Sequence, residues 1–347
     1  MSSAAALGAL APPRGAPRVL GVARDRRGSR RAVAARASSS DASSSSSSST
    51  TRSSSPTAPS PGTPRVATSR RDVLALAATA LLASKTLVAP SSSTASVTAS
   101  SAFVDTPEIR AALREALVAN VVKTKAPAVL RLVFHDAGTY RVASNDGGMN
   151  GSVKYELSRP ESFGLKRGLG PVLATMDALR DTPAAAASLA DVIAAAGAYA
   201  VELTGGPIIR VRLGRVDAVS ADPENRMPAE TLTGEEQRAH FARAGFSTRE
   251  MVAIAGAHTI GGKGFGEPYV FDNEYYKTLL ARPWADATKS KEELDMASHI
   301  GLTSDKNLAT DEPSLEYVRK YAEDQGLFFE DFGAAYLKLT EQGATWR

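Results

Sequence analysis

Two apolar runs, more than a hundred residues apart, each lead into a histidine: Val129-Leu130-Arg131-Leu132-Val133-Phe134-His135 and Val252-Ala253-Ile254-Ala255-Gly256-Ala257-His258. A fold that buries both runs draws two imidazoles toward its interior. Arg131 and His135 are four residues apart, so on a helix their side chains share one face and can act on one small molecule. There is no cysteine anywhere. That excludes disulfide staples, thiolate ligands to haem or zinc, and a cysteine nucleophile, and leaves the fold to be held by packing.

The formal charge of +4 is misleading. Residues 1–71 carry twelve Arg, no Lys and only Asp25 and Asp41, a balance of +10; Asp72 and Lys85 cancel, so residues 102–347 stand at −6. Whole-chain basicity therefore gives no support to a nucleic-acid partner. The leader is rich in Ser, Ala and Arg and poor in acids, a composition that predicts a disordered plastid transit peptide over residues 1–68. Ser69-Arg70-Arg71-Asp72-Val73-Leu74 follows, with an apolar run to Ala83 and small residues near Ala99 and Ala102. The run is too short to span a bilayer, which takes about 20 apolar residues. It predicts a cleaved twin-arginine signal over residues 69–102, and the two signals in series address the thylakoid lumen. About 245 residues then remain, enough for one large domain.

In that remainder, residues 103–347, helical signals dominate. Thr106-Pro107 caps a helix with Ile109, Leu113, Leu117 and Val121 on one face. Pro127 opens and Gly138 closes the Arg131–His135 segment, and Leu189 to Leu203 predicts a buried helix stopped by Gly205-Gly206-Pro207. Ser247 and Glu250 form a capping box that puts His258 near the far end of a helix. Further helices are predicted from Pro313 and through Phe329, Phe332, Tyr336 and Leu339. Ile209, Val211 and Leu213 alternate with Arg210 and Arg212, which predicts one short strand. Clustered Gly, Pro, Asp and Asn predict long loops at 140–165, 215–235 and 261–300.

Across a flat iron cofactor, two such histidines could divide the chemistry. His258 could ligate the metal, and Asp305 could accept the other ring N–H and make it a stronger ligand. His135 could take a proton from one peroxide oxygen and return it to the other, and Arg131 could stabilise the charge that grows as the O–O bond breaks. Taken alone, either histidine is more often a satisfied core residue than a ligand. Rival motifs fail. A phosphate loop ending at Gly262-Lys263 would need Gly at 257 and Ser or Thr at 264, where Ala257 and Gly264 stand. His240 and His299 have no partner at zinc spacing, and Ser152, Ser247 and Ser304 lie in no Gly-x-Ser-x-Gly elbow.

At these residues the chain resembles the plant haem-peroxidase superfamily. Arg131-Leu132-Val133-Phe134-His135 is similar to its distal motif, and Val252 to Gly261 to its proximal one. Thr204-Gly205-Gly206-Pro207, Gly214-Arg215-Val216-Asp217, Phe271-Asp272-Asn273 and Ser304-Asp305 fit the segments between and after. Lacking cysteine, the chain resembles the intracellular, ascorbate peroxidase-like class, and with its leader most of all the thylakoid-lumen ascorbate-peroxidase-like proteins. The resemblance implies a mainly α, two-lobed fold with very little β and haem b between the lobes. It implies Arg131 and His135 as catalytic residues acting on hydrogen peroxide, and His258 as iron ligand oriented by Asp305. It implies that Phe134 lies against the cofactor, where relatives have tryptophan. Around these it implies Glu156, Ser162 and Thr259 as supporting residues, and a monovalent cation held by Thr259 and Asp272.

The chain also departs from the family. Ser162 stands where the family has the asparagine that bonds the distal histidine. Between Ile260 and Phe271 about ten residues are missing, and with them the ascorbate-binding arginine, the tryptophan beside the proximal histidine and part of the cation loop. Lys123 keeps a second ascorbate contact. These departures leave the electron donor, small molecule or protein, unidentified. They set a peroxidase active under oxidative stress against a second reading: a peroxidase fold with weak or no turnover, associated with photosystem II or the thylakoid membrane.

Overall fold

A computed structural model describes residues 102–347; both targeting signals lie outside the described residues. Eleven α-helices and several short 3-10 turns make up the described chain. Helix α1 (Pro107–Asn120) starts as its sequence predicts, with the Thr106 hydroxyl accepting from the Ile109 N–H and Pro107 at the first turn. Helix α2 (Ala126–Ala137) carries Arg131, Phe134 and His135. It packs against α3 (Lys166–Ala178) and α4 (Leu189–Leu203), which also contact each other and α1.

Every residue of α4 from Leu189 to Val201 is buried. This explains its lack of a polar face: it is surrounded. Its start is fixed by a capping box between Ser188 and Asp191. Asp191 does more, accepting the backbone N–H groups of Gly214 and Arg215 and pairing at 3.1 Å with the fully buried Arg215 guanidinium. Arg215 in turn donates to the Thr340 carbonyl near the end of α11 (Gln325–Glu341), so the start of α4 and the end of α11 are joined through one buried guanidinium.

The second group of contacts joins α6 (Thr248–Ala255), α7 (Glu274–Ala281), α9 (Thr303–Leu308), α10 (Glu312–Glu323) and α11, with α5 (Gly234–Arg243) against α6 and α9. Helix α8 (Lys291–Ser298) lies farther out, against the turn Pro283–Ala285. Gly256, at the end of α6, sits where a β-carbon would strike the Tyr276 hydroxyl and the Phe328 ring. Glycine there lets α6 close onto α7 and α11 and so sets the position of the turn that follows.

Two expectations need correction. Residues 209–213 form no strand; among the described residues the only β pairings are the isolated Arg141/Asp146 and Arg215/Trp346 bridges. Ile209, Val211 and Leu213 are buried while Arg210 and Arg212 are exposed, so the alternation records one-sided burial of an extended segment. Its Val211 carbonyl is taken by the Arg110 side chain instead of by a neighbouring strand. The loop expected at 261–300 contains α7 and α8. None of the helices among the described residues is long and apolar enough to cross a membrane.

Candidate active site

Helix α6 ends at Ala255, and the chain tightens into a 3-10 turn, Gly256–Thr259, which carries His258. Positive φ at Gly261, Gly264 and Gly266 then folds the chain back. His258 Nδ1 lies 2.7 Å from Asp305 Oδ1 on α9, and the same oxygen accepts the Tyr275 hydroxyl at 2.8 Å. The other Asp305 oxygen accepts the Leu302 N–H at 2.7 Å. Tyr275 and Asp305 are buried, yet the His258 side chain is 41% exposed, because its remaining edge faces open space. With Nδ1 tied to a carboxylate, Nε2 is the nitrogen free to bind a metal.

The electrostatics of this trio reinforce one another. Burial alone would raise the Asp305 carboxyl, but the charge and hydrogen bond of His258, with the Leu302 N–H and the Tyr275 hydroxyl, hold it below its ordinary value. Burial would lower His258, and the Asp305 charge and hydrogen bond outweigh it, so the imidazole is more basic than usual. Burial together with the neighbouring Asp305 charge raises Tyr275, which therefore stays a phenol.

On α2, His135 is 8% exposed and its pKa falls to about 4, first through burial and then through the Arg131 charge. It is thus a neutral imidazole at pH 7, and among the described residues its ring has no hydrogen-bond partner. Arg131 donates to the carbonyls of Phe163 at 2.7 Å and Glu161 at 2.9 Å, the residues on either side of buried Ser162. Phe134 stacks on Phe241 of α5 with ring centres 6.2 Å apart and meets the His135 ring edge-on. Next to His135, buried Asp136 accepts three backbone N–H groups, from Asn150, Gly151 and Val153, and burial pushes its pKa up to about 7 against their pull. It anchors the loop after α2.

The other sequence-predicted residues fall into separate places. Glu156 accepts from Arg159 and from the Asp222 N–H, bracing the loop near 222 and not His135. The Thr259 hydroxyl donates to Asp272 at 2.9 Å, so the two residues matched to a cation site are neighbours bonded to each other. The start of α2 and the segment after His258 do converge: a β-carbon on Gly261 would touch Pro127. A cleft there is lined by Thr124, Pro127 and Tyr269 with Lys125 and Arg167, which supply its positive charge.

Sequence reasoning missed Tyr275 and Glu230. Glu230 is exposed and its carbonyl accepts the Ser304 N–H beside Asp305; its charge adds a little to the rise of His258 and opposes the lowering of Arg131 by burial. No local signal marks Tyr275, whose hydrogen bond spans thirty residues.

The helical scaffold thus carries a carboxylate-bound histidine after α6 and an arginine–histidine pair on α2. Residues 108–267 match the family model described as Peroxidase. The relative named "Putative L-ascorbate peroxidase 6" from Arabidopsis thaliana is 52% identical over 226 residues, covering 65% of this chain and 66% of that protein. "L-ascorbate peroxidase 2, cytosolic" from Arabidopsis thaliana is 37% identical over 233 residues, 63% of this chain and 85% of the relative. "L-ascorbate peroxidase 1, cytosolic" from Oryza sativa subsp. indica is 37% identical over 237 residues, 64% and 87%. The chain belongs to the plant haem-peroxidase superfamily, in its ascorbate peroxidase-like class. Haem is the cofactor that this family implies.

Proposed function

We propose that this protein is a haem peroxidase that reduces hydrogen peroxide to water with electrons from a donor other than ascorbate at its usual site. The single observation that carries the reading is the 2.7 Å bond between His258 and buried Asp305, which leaves Nε2 of a half-exposed imidazole free for a metal. The fit to haem b rests on that free nitrogen and on the absence of any cysteine that could compete as ligand. Bound haem supplies the redox-active iron that receives peroxide and feeds electrons into its O–O bond.

The residues of the chain supply the rest. Asp305 keeps the His258 ring oriented and electron-rich. His135, neutral because burial and Arg131 depress its pKa to about 4, has a lone pair for the proton on the near peroxide oxygen and can return that proton to the far one. Arg131 stays charged and offers N–H groups to the oxygen that gains negative charge. The ascorbate-binding arginine that the resemblance leads one to expect has no counterpart in the short segment between Ile260 and Phe271, which argues against the usual ascorbate contacts. The leader supports delivery to the thylakoid lumen, where such a protein would act under oxidative stress.

A second reading is favoured by the unbonded His135 ring: a weakly active peroxidase fold kept for association with photosystem II. One experiment separates them. The full chain is loaded with haem and the Soret band is followed after adding peroxide, for the native protein and for Arg131→Leu. The enzyme reading expects a rapid band shift that slows about 100-fold in the variant. A band that does not move in the native protein leaves only the second reading.

A further inference from the structure

We propose that Tyr275 and Tyr321 are redox-active side chains that pass single electrons from the surface of α10 to the His258 side of the haem site, with the Tyr276 ring as the bridge between them. The proposal rests on the peroxidase reading above.

Four tyrosines form a continuous series of ring contacts outward from His258. The His258 and Tyr275 ring centres are 6.2 Å apart, Tyr275 and Tyr276 4.9 Å, Tyr276 and Tyr321 5.1 Å, and Tyr321 and Tyr317 6.4 Å. The first three tyrosines are fully buried, whereas Tyr317 is part-exposed, with the Lys320 ammonium over its ring. Aromatic clusters are ordinary core, and Phe265, Phe271, Phe328 and Phe332 fill that role beside these rings.

The partners of the hydroxyls set the tyrosines apart. A phenol gives up an electron readily only if its proton can leave at the same time. Tyr275 donates to the Asp305 carboxylate at 2.8 Å, and Tyr321 donates to the Asp331 carboxylate at 2.7 Å. Asp331 also accepts a two-pronged pair of hydrogen bonds from Arg249, at 2.7 and 2.8 Å. Tyr276 donates to the Val252 carbonyl oxygen at 2.9 Å, and a peptide carbonyl does not take a proton. Two of the three buried phenols therefore have a base, and the one between them has none. Burial first, and then the Asp331 bond, keep Tyr321 protonated, so its oxidation has to move that proton.

The electrons and protons balance. Peroxide is the oxidant: it takes electrons from the haem site, its O–O bond breaks, and two protons from solvent complete two waters. For each electron replaced, Tyr275 loses one electron and its O–H bond breaks, the proton passing to Asp305 Oδ1. An electron from Tyr321 crosses the Tyr276 ring, Asp305 returns the proton to Tyr275, and the Tyr321 proton moves to Asp331. A one-electron donor oxidised at Tyr317 then reduces Tyr321, and Asp331 returns that proton. The relay ends unchanged, with the donor oxidised by one electron, twice per peroxide. A donor served in this way need not enter the haem slot, which suits a chain whose usual ascorbate contacts are gone.

The test uses the full chain loaded with haem, mixed with peroxide, frozen within milliseconds to seconds and examined by electron paramagnetic resonance; oxidation of the bulky dye ABTS is followed in parallel. The native protein is expected to give a tyrosyl signal that disappears in Tyr275→Phe. In Tyr321→Phe the signal should persist longer while dye oxidation slows severalfold, with the Soret response to peroxide unchanged. Tyr276→Phe removes an equally buried hydroxyl and is expected to change neither readout, which separates relay from packing. A Soret response without a tyrosyl signal, or a signal indifferent to both Tyr275→Phe and Tyr321→Phe, overturns the relay and leaves the peroxidase reading standing. No Soret response in the native protein overturns both.

Discussion

The two walls of the site are built to different standards. On the His258 side, one buried carboxylate collects an imidazole, a phenol and a backbone N–H within 2.8 Å, and each bond fixes the others. On the His135 side the imidazole is buried but unbonded, and Arg131 is tied to loop carbonyls. A wall held by several mutually supporting bonds tolerates little change; one held by packing alone can drift in sequence while the fold persists. Ser162, the departure expected from the sequence, lies on the loosely held side, between the two carbonyls that accept from Arg131. On the His258 side, Tyr275 gives Asp305 a second ring-bearing donor beside the imidazole.

The largest expected effect lies on the tightly held wall. His258→Ala removes the free Nε2 proposed to ligate iron, and a haem titration of the variant should show no saturable Soret band. Saturable binding of native strength would mean that the two walls do not enclose a haem at all. Asp305→Asn keeps the shape and removes the charge. Haem affinity should fall about 10- to 100-fold, the usual consequence of losing a ligand's supporting partner. A loss below twofold would show that the His258 wall is no better determined than the other.

Much of the scaffold was legible because its signals are local. The Thr106-Pro107 start, the Ser247–Glu250 box and the closed Ala-rich α4 each depend on residues within a turn or two. The Ser290–Glu293 capping box of α8 was equally readable, but the Gly- and Asp-rich surroundings hid it. The strand at 209–213 was misread because alternation reports which side is buried and not whether a neighbouring strand exists. Of the site, motif residues His258 and Asp305 could be paired in advance. Tyr275 and Glu230 could not, since nothing in Glu274-Tyr275-Tyr276 or Ala229-Glu230-Thr231 foretells contacts tens of residues away.

On the loosely held wall, burial without a partner should appear in acid. The folded pKa of His135, about 4, lies below its unfolded value near 6.5, so between those pH values the unfolded chain binds the proton and the native one does not. Stability is unaffected by this group above pH 6.5 and is lost as pH falls toward 4, at no more than about 1.4 kcal/mol per pH unit. Buried His240, also lowered to about 4, adds to the slope. Chemical denaturation of the native protein and His135→Gln at pH 7 and pH 5 should show the variant losing less. Equal losses would place His135 in a wetter setting than its 8% exposure implies.

The smallest effect should come from repairing that wall. Ser162 is 4% exposed and sits between the two carbonyls that hold Arg131, so Ser162→Asn puts an amide oxygen into the turn nearest the arginine–histidine pair. A bond from the His135 N–H to that oxygen would favour the charged imidazole and raise its pKa above 4, making it a better proton acceptor at neutral pH. The extra atoms in a buried turn work against this, with an overpacking cost of about 1–3 kcal/mol. The expected result is a slightly less stable protein whose Soret response to peroxide is a few times faster and whose His135 titrates at higher pH by nuclear magnetic resonance. Faster reaction with an unmoved His135 titration would assign the gain to Arg131, freed from its carbonyls, and the contrast between the walls would then rest on the guanidinium instead of the imidazole.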